Sequence, residues 1–316
     1  MRLNSSEALL SVIVVAGDRR DIMRKMFAAL AAQTGRDKLE IIIVDAASEG
    51  TPALALPPDF QVRVLRTEAG VMPGKARFEG TMNATAPYVA FLEDHCYPEP
   101  DWSDAIIRAH RAGWAAVGYA FSNGSPDSYL YRAILLAEYG MWSHARSGGP
   151  TTRLPGCNVS YQKAEILGFN NRLGELLEMD YLLHESLRER GLKFYIESKA
   201  RVAHESYASF VELLYCHFLF SRIQAARRAR VFSWGFKRRL ILGLAAPFVL
   251  TMLQLFRACK ALRATERMAA WLISIPIILL IHQCESLGEC LGFLAGPGSA
   301  ERIFALRELN GARIGR

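Results

Sequence analysis

No acidic residue occurs between Glu212 and Glu266. The same stretch carries ten cations: Arg222, Arg227, Arg228, Arg230, Lys237, Arg238, Arg239, Arg257, Lys260 and Arg263. A local field of one sign excludes a balanced surface there and calls for an anionic partner. Uncharged apolar blocks lie beside these cations, which fits an anionic membrane surface better than nucleic acid. No nucleic-acid partner is expected. CxxC pairs are also missing. The six cysteines, Cys96, Cys157, Cys216, Cys259, Cys284 and Cys290, resemble neither a zinc module nor a disulfide framework. Free thiols in a reducing compartment are the expectation. Met1–Glu7 lacks a basic region followed by an apolar core, so no signal peptide is expected. Internal repeats and low-complexity tracts are absent.

Long uninterrupted apolar runs are scarce as well. A bilayer span needs about 20 apolar residues. Leu240–Phe256 offers 17 without charge, interrupted by Gly243, Pro247 and Gln254. Met268–Ile281 offers 14, broken at Pro276, and would lengthen to Ala295 only by burying Glu285 and Glu289. Both flanks of the first block are basic, which conflicts with a single span because positive residues prefer the cytoplasmic side. In-plane amphipathic helices at the cytoplasmic membrane face, or a tilted hairpin, resolve the conflict. The chain is therefore expected to divide into a domain over 1–210 and a basic, apolar, membrane-associated helical region over 211–316.

What the first half does have is alternation. Leu9–Val15 is a short β-branched run, Asp21–Gln33 has helical apolar spacing, and Leu39–Val44 is a second buried run ending at Asp45. Gln61–Leu65 alternates as a strand, Gly74–Ala84 reads as a helix, and Tyr88–Leu92 as a fourth strand. This order predicts an α/β fold with a mostly parallel central sheet flanked by helices. Gly113–Phe121 reads as another strand. Ser143–Gly156, rich in Gly and Pro, reads as a mobile loop. Leu176–Arg190 reads as one helix, with Met179, Leu183 and Leu187 on a stripe and Gly191 as its stop. Lys193–Glu197 reads as a short strand and Val202–His204 as a separate extended segment.

Ligands in such sheets bind beyond the carboxyl ends of the strands. Asp45 and Glu93-Asp94-His95 sit at two of those ends. Two carboxylates and an imidazole after a buried strand are costly unless something uses them. A divalent metal or a sugar hydroxyl would; a solvated turn before Pro98 and Pro100 is the plainer alternative.

The order of these features resembles glycosyltransferase family 2, whose nucleotide-sugar fold is called GT-A: an apolar strand, a helix ending in Gln, a strand ending Val44-Asp45, Lys75-Ala76-Arg77 before a helix, and a strand ending in an acidic triplet. The likeness covers roughly residues 9–206. It implies nucleotide-sugar contacts from Asp45, Arg77, Glu93, Asp94 and Asn158. It implies a metal site where Glu93-Asp94-His95 replaces the family's Asp-X-Asp, with His95 or Asp94 as ligand and His204 completing the set. Imidazole suits Mn²⁺ and not Mg²⁺, which wants oxygen, so Mn²⁺ is favoured. Asp180 aligns with the family's catalytic aspartate, although Met179 stands where a Glu is usual. The expected function is metal-dependent, inverting transfer of a sugar from a nucleoside-diphosphate sugar to a lipid-linked or polysaccharide acceptor at the cytoplasmic membrane face. The alternatives are a polyprenyl-phosphate glycosyl synthase and a non-catalytic nucleotide-sugar or glycan-binding membrane protein.

Overall fold

The computed structural model describes residues 8–56, 62–144, 146–207, 209–262 and 268–310. Met1–Glu7, Gln61 and Arg263, which carry expectations above, lie outside the described residues. In chain order the elements are β1 (Leu10–Ala16), α1 (Arg20–Ala31), β2 (Leu39–Asp45), β3 (Val62–Arg66), α2 (Pro73–Asn83), β4 (Tyr88–Phe91), β5 (Cys96–Pro98), α3 (Trp102–Arg111), β6 (Ala116–Asn123), α4 (Tyr129–Tyr139), β7 (Gly149–Thr151), β8 (Val159–Gln162), α5 (Lys163–Leu167), α6 (Leu173–Glu178), α7 (Asp180–Glu189), β9 (Phe194–His204), α8 (Phe210–Val231), α9 (Phe236–Leu262), α10 (Met268–Ala295) and α11 (Ala300–Asn310).

Two compact units result: residues 1–124 with 146–204, and residues 125–145 with 205–316. The first is built on one sheet of strand order β3-β2-β1-β4-β8-β6-β9-β5, with β7 added to β9. β1 pairs in parallel with β2 on one side and with β4 on the other. All seven residues of β1 are buried, which explains why it reads as a continuous apolar run and not an alternating one. Ser11 is the polar exception. It donates to Glu40 Oε2 at 2.6 Å and accepts from the Ala86 amide at 3.1 Å, so its burial leaves no unmet polar group. The chain winds from β1 outward to β3, then returns to place β4 on the opposite side of β1. The gap beyond the carboxyl ends of β1 and β4 is thus the topological switch point.

The sheet is mixed: β8 runs antiparallel to β4 and β6, while β6 and β9 are parallel. Three expectations need correction. The two segments 193–197 and 202–204 are one long strand, β9. The loop over 143–156 contains β7, which pairs antiparallel with β9. The helix expected over 176–190 breaks at Met179, whose φ of −127° and ψ of 59° end α6 and start α7.

The second unit is helical. α9 and α10 lie antiparallel: Arg239 Nε donates to the Phe293 carbonyl at 2.7 Å, and Thr251 Oγ1 to Ser286 Oγ at 3.0 Å. α8 and α10 pack so closely that a Cβ on Gly288 would fall 2.2 Å from the Phe218 carbonyl oxygen. Phe236–Phe256 and Ile273–Ala295 are each long and apolar enough to cross a membrane. The second stretch exceeds the 14 residues expected because its acids are partnered. Glu285 meets His217 and His282, each at 2.8 Å, and Glu289 meets Arg228 at 2.7 Å. His217 in turn reaches Glu138 of α4 at 2.9 Å, which ties α4, α8 and α10 together.

Candidate functional site

β4 ends at Phe91, and Glu93-Asp94-His95 turns the chain into β5. β5 pairs antiparallel with the end of β9, with Cys96 opposite His204. That register brings His204 beside His95, with ring centroids 4.9 Å apart. One ligand atom each from Glu93, His95 and His204 all lie within 4.8 Å of one another. His95 Nε2 is 3.7 Å from Glu93 Oε2.

Two members of this group are held from behind. His95 Nδ1 faces Asp94 Oδ1 at 2.8 Å. An ionised carboxylate only accepts, so in the neutral ring the proton sits on Nδ1 and Nε2 keeps its lone pair. Asp94 is itself fixed by the guanidinium of Arg19, at 3.1 and 3.2 Å to its two oxygens. Both partners are buried. Asn158 is fully buried; its Nδ2 donates to Glu93 Oε2 at 2.5 Å and its Oδ1 accepts from the Glu93 amide at 3.1 Å. Asn158, expected as a nucleotide-sugar contact, bonds Glu93 through both ends of its amide. Asp94, expected as a possible metal ligand, stands behind His95 and outside the three-residue group.

Asp45 ends β2, where its Oδ2 accepts from Arg20 at 3.0 Å and Arg66 at 2.9 Å. Its Oδ1 accepts from the Ala47 amide at 3.2 Å. Asp18, next to Arg19, binds the Ser48 amide at 2.6 Å and Thr51 at 2.8 Å, fastening the loop that follows Asp45. The segment Asp18-Arg19-Arg20 was missed by sequence reasoning. Its signal was three charges directly after the most apolar strand, at the switch point.

Asp180 is the first residue of α7. Burial pushes its carboxyl above the ordinary aspartate value, partly offset by the Tyr181 amide, the Arg77 guanidinium and its own amide. A Cβ on Gly156 would fall 2.4 Å from Asp180 Oδ2, so the loop before β8 packs directly on this carboxylate. Arg77, on α2, lies over the Phe91 ring at 6.0 Å. Lys75 is exposed and pairs with Glu68 at 3.2 Å. Glu178 accepts from the Gly74 amide, which pins the start of α2 to α6.

Residues 11–161 match the family model described as glycosyl transferase family 2. Just under half of the chain is thus similar to a domain of this family. Its sheet, mostly parallel and flanked by helices, is GT-A-like. No curated protein matches the sequence. Among solved structures, one described as GalNAc-T7 with UDP, GalNAc and Mn²⁺ is similar at 12% identity and a TM-score of 0.44, over 64% of this chain and 44% of that one. TarS of S. aureus is similar at 15% identity and a TM-score of 0.46, over 92% of this chain and 55% of that one. The chain thus spans about half the length of each.

Proposed function

We propose that the protein is a metal-dependent inverting glycosyltransferase that moves a sugar from a nucleoside-diphosphate sugar to a lipid-linked or polysaccharide acceptor, working at the cytoplasmic membrane face. The observation that carries this reading is the convergence of Glu93, His95 and His204 at strand ends of a domain similar to glycosyl transferase family 2. One carboxylate and two imidazoles form a donor set that suits Mn²⁺ and is poor for Mg²⁺. These three residues would hold the ion, which when bound supplies positive charge against a departing diphosphate. Asp94 and Arg19 would fix the tautomer and direction of His95.

Asp45, with Arg20 and Arg66 beside it, stands at the end of β2 where the nucleotide is expected. Arg77 would offset phosphate charge with its planar fork. Asp180 is the proposed base. Its carboxylate would take the proton from the acceptor hydroxyl as that oxygen attacks the anomeric carbon. A carboxyl raised by burial accepts that proton more readily than an ordinary surface aspartate does. The two apolar stretches Phe236–Phe256 and Ile273–Ala295 support membrane association of region 211–316. They equally favour a second acceptor, a polyprenyl phosphate. Such a nucleophile is already anionic, so Asp180 would matter far less to it.

The test is a screen of UDP- and GDP-sugars by thermal shift, with Mn²⁺, with Mg²⁺ and with neither. A cognate donor raises the melting temperature by mass action, and the rise is expected to need Mn²⁺. A donor rise of equal size with both metals removed would sink the metal site. No rise with any nucleotide sugar would sink the transferase reading.

A further inference from the structure

The helical unit holds cations that the transferase reading does not use, and several of them line one cavity. It measures about 350 Å³ and is bounded by Arg227 and Arg230 of α8, Arg239 of α9, Gly292 of α10, and Pro297 and Glu301 at the start of α11. Three arginines face one glutamate. That glutamate is already engaged, since Arg227 Nε donates to Glu301 at 3.0 Å. Arg239 spends its Nε on the Phe293 carbonyl, while its two terminal nitrogens have no partner among the described residues. Arg230 is exposed at the rim. Capping the last turn of α10 explains Arg239 Nε, and Arg222 Nε on the Gly296 carbonyl at 2.9 Å. It leaves the open end of the Arg239 fork unexplained.

The surroundings indicate what the positive charge is for. Because α9 and α10 are antiparallel, the start of one apolar stretch and the end of the other meet at this cavity. Outward from it, α9 exposes Phe236, Ile241, Leu244, Phe248 and Met252. α10 exposes Ile273, Leu280, Leu287 and Leu294, every seventh residue, which keeps them along one side. Beside the arginines, Phe232 stacks on Trp234 at 5.6 Å, and Arg238 lies 4.2 Å over the Trp234 ring. Apolar faces, then an aromatic pair, then cations, is the sequence of environments met on leaving a bilayer.

We propose that this cavity binds the phosphate group of an anionic membrane lipid. Arg230 and the terminal nitrogens of Arg239 take the phosphate oxygens, and the Arg227–Glu301 pair forms the far wall. Guanidinium forks match phosphate oxygens in pairs, which a lone ammonium does not. The acyl chains run along the exposed faces of α9 and α10. This site lies wholly in the helical unit and its test reads lipid binding, so it stands or falls apart from the sugar-transfer reading.

The experiment uses the full chain in neutral maltoside micelles. Dioctanoyl phosphatidic acid, dioctanoyl phosphatidylcholine and inorganic phosphate are titrated, with melting temperature and native mass spectrometry as readouts. Phosphatidic acid is expected to bind saturably and raise the melting temperature, and the other two are not. Arg230→Gln, at an exposed position, is expected to weaken phosphatidic acid about fivefold, the effect of one cation near an anionic surface. Arg230→Gln with Arg239→Gln is expected to weaken it more than tenfold. Lys237→Gln, on the same helix but outside the cavity lining, should change it less than twofold. Unchanged affinity in a folded Arg230→Gln protein overturns the proposal. So does an equal loss with Lys237→Gln, which means diffuse attraction. Inorganic phosphate binding as tightly as phosphatidic acid would make this a soluble-anion site and overturn the lipid assignment.

Discussion

Replacing Gly156 with Ala should abolish most sugar transfer without removing any functional group. The added Cβ would lie 2.4 Å from both Cγ and Oδ2 of Asp180, against an ordinary contact distance of 3.4 Å and beyond. The carboxylate must therefore move by about 1 Å, and a shift of that size in a reacting group costs about 100-fold in rate. Moving it also strains its hydrogen bonds to the Tyr181 and Asp180 amides, which hold the carboxyl down against the effect of burial. The variant should thus show two changes together: kcat falls by about 100-fold, and the acidic limb of the pH–rate profile moves to higher pH. The overpacking should cost about 1–3 kcal/mol of stability, read from the urea midpoint. Gly174→Ala is the control. A Cβ there meets nothing closer than 3.6 Å, and the residue lies within α6, so stability should rise by about 0.5–1 kcal/mol with activity unchanged. The assay is Mn²⁺-dependent turnover of the donor found by thermal screening. If Gly156→Ala keeps kcat within threefold of wild type with the same pH profile, Asp180 is not the base.

Asp180→Asn separates stability from chemistry. The folded pKa of Asp180 is raised above 3.8, so the native state binds more protons than the unfolded one and the ionised group opposes folding at neutral pH. The variant should melt higher than wild type at pH 7, with the gain shrinking as pH falls through the folded pKa, while turnover drops about 10²–10⁴-fold; a lower melting temperature at pH 7 refutes the assignment of burial as the main cause. Arg19→Met leaves Asp94 buried without its guanidinium, and breaking a buried pair costs about 3–5 kcal/mol; a urea midpoint indicating under 1 kcal/mol would contradict the pairing at 3.1 Å. His95→Ala and His204→Ala should each abolish Mn²⁺ binding followed by electron paramagnetic resonance. Asp94→Asn should only weaken it, by about 10–100-fold, as expected of a residue behind the ligand; complete loss with Asp94→Asn alone would make Asp94 a ligand.

Most of the sheet was legible because β1, β2 and β4 are largely buried and so print as mainly apolar runs. What failed to print was set at long range. β7 is Gly149-Pro150-Thr151, a triplet of poor strand formers that extends because β9 offers it a partner. The break at Met179 was hidden because Met179 and Leu183 keep one apolar stripe across it, and both are buried. α10 reads as a 14-residue segment until its glutamates find His217 and Arg228 on α8, more than 60 positions away. The site divides in the same way. Asp45, Arg77, Asp180 and His204 were named from a resemblance in order and spacing, whereas Arg19 could only be found in space, since it meets Asp94 across 75 positions.

That pairing also explains why the unusual spelling Glu93-Asp94-His95 holds together. A histidine in the last position brings a ring with two nitrogens, and only a defined tautomer presents a lone pair in a defined direction. Asp94 supplies the definition by facing Nδ1 at 2.8 Å. Asp94 can do so only if its own charge is stabilised while buried, and Arg19 provides that from the end of β1. Glu93 faces the opposite problem, a carboxylate free to rotate, and Asn158 fixes it from β8's approach with both ends of its amide. A middle aspartate that ligated an ion directly would have to share the oxygens that already face His95 and Arg19. His95, Asp94 and the buried Arg19 therefore form one dependent set. Each makes physical sense only with the others in place.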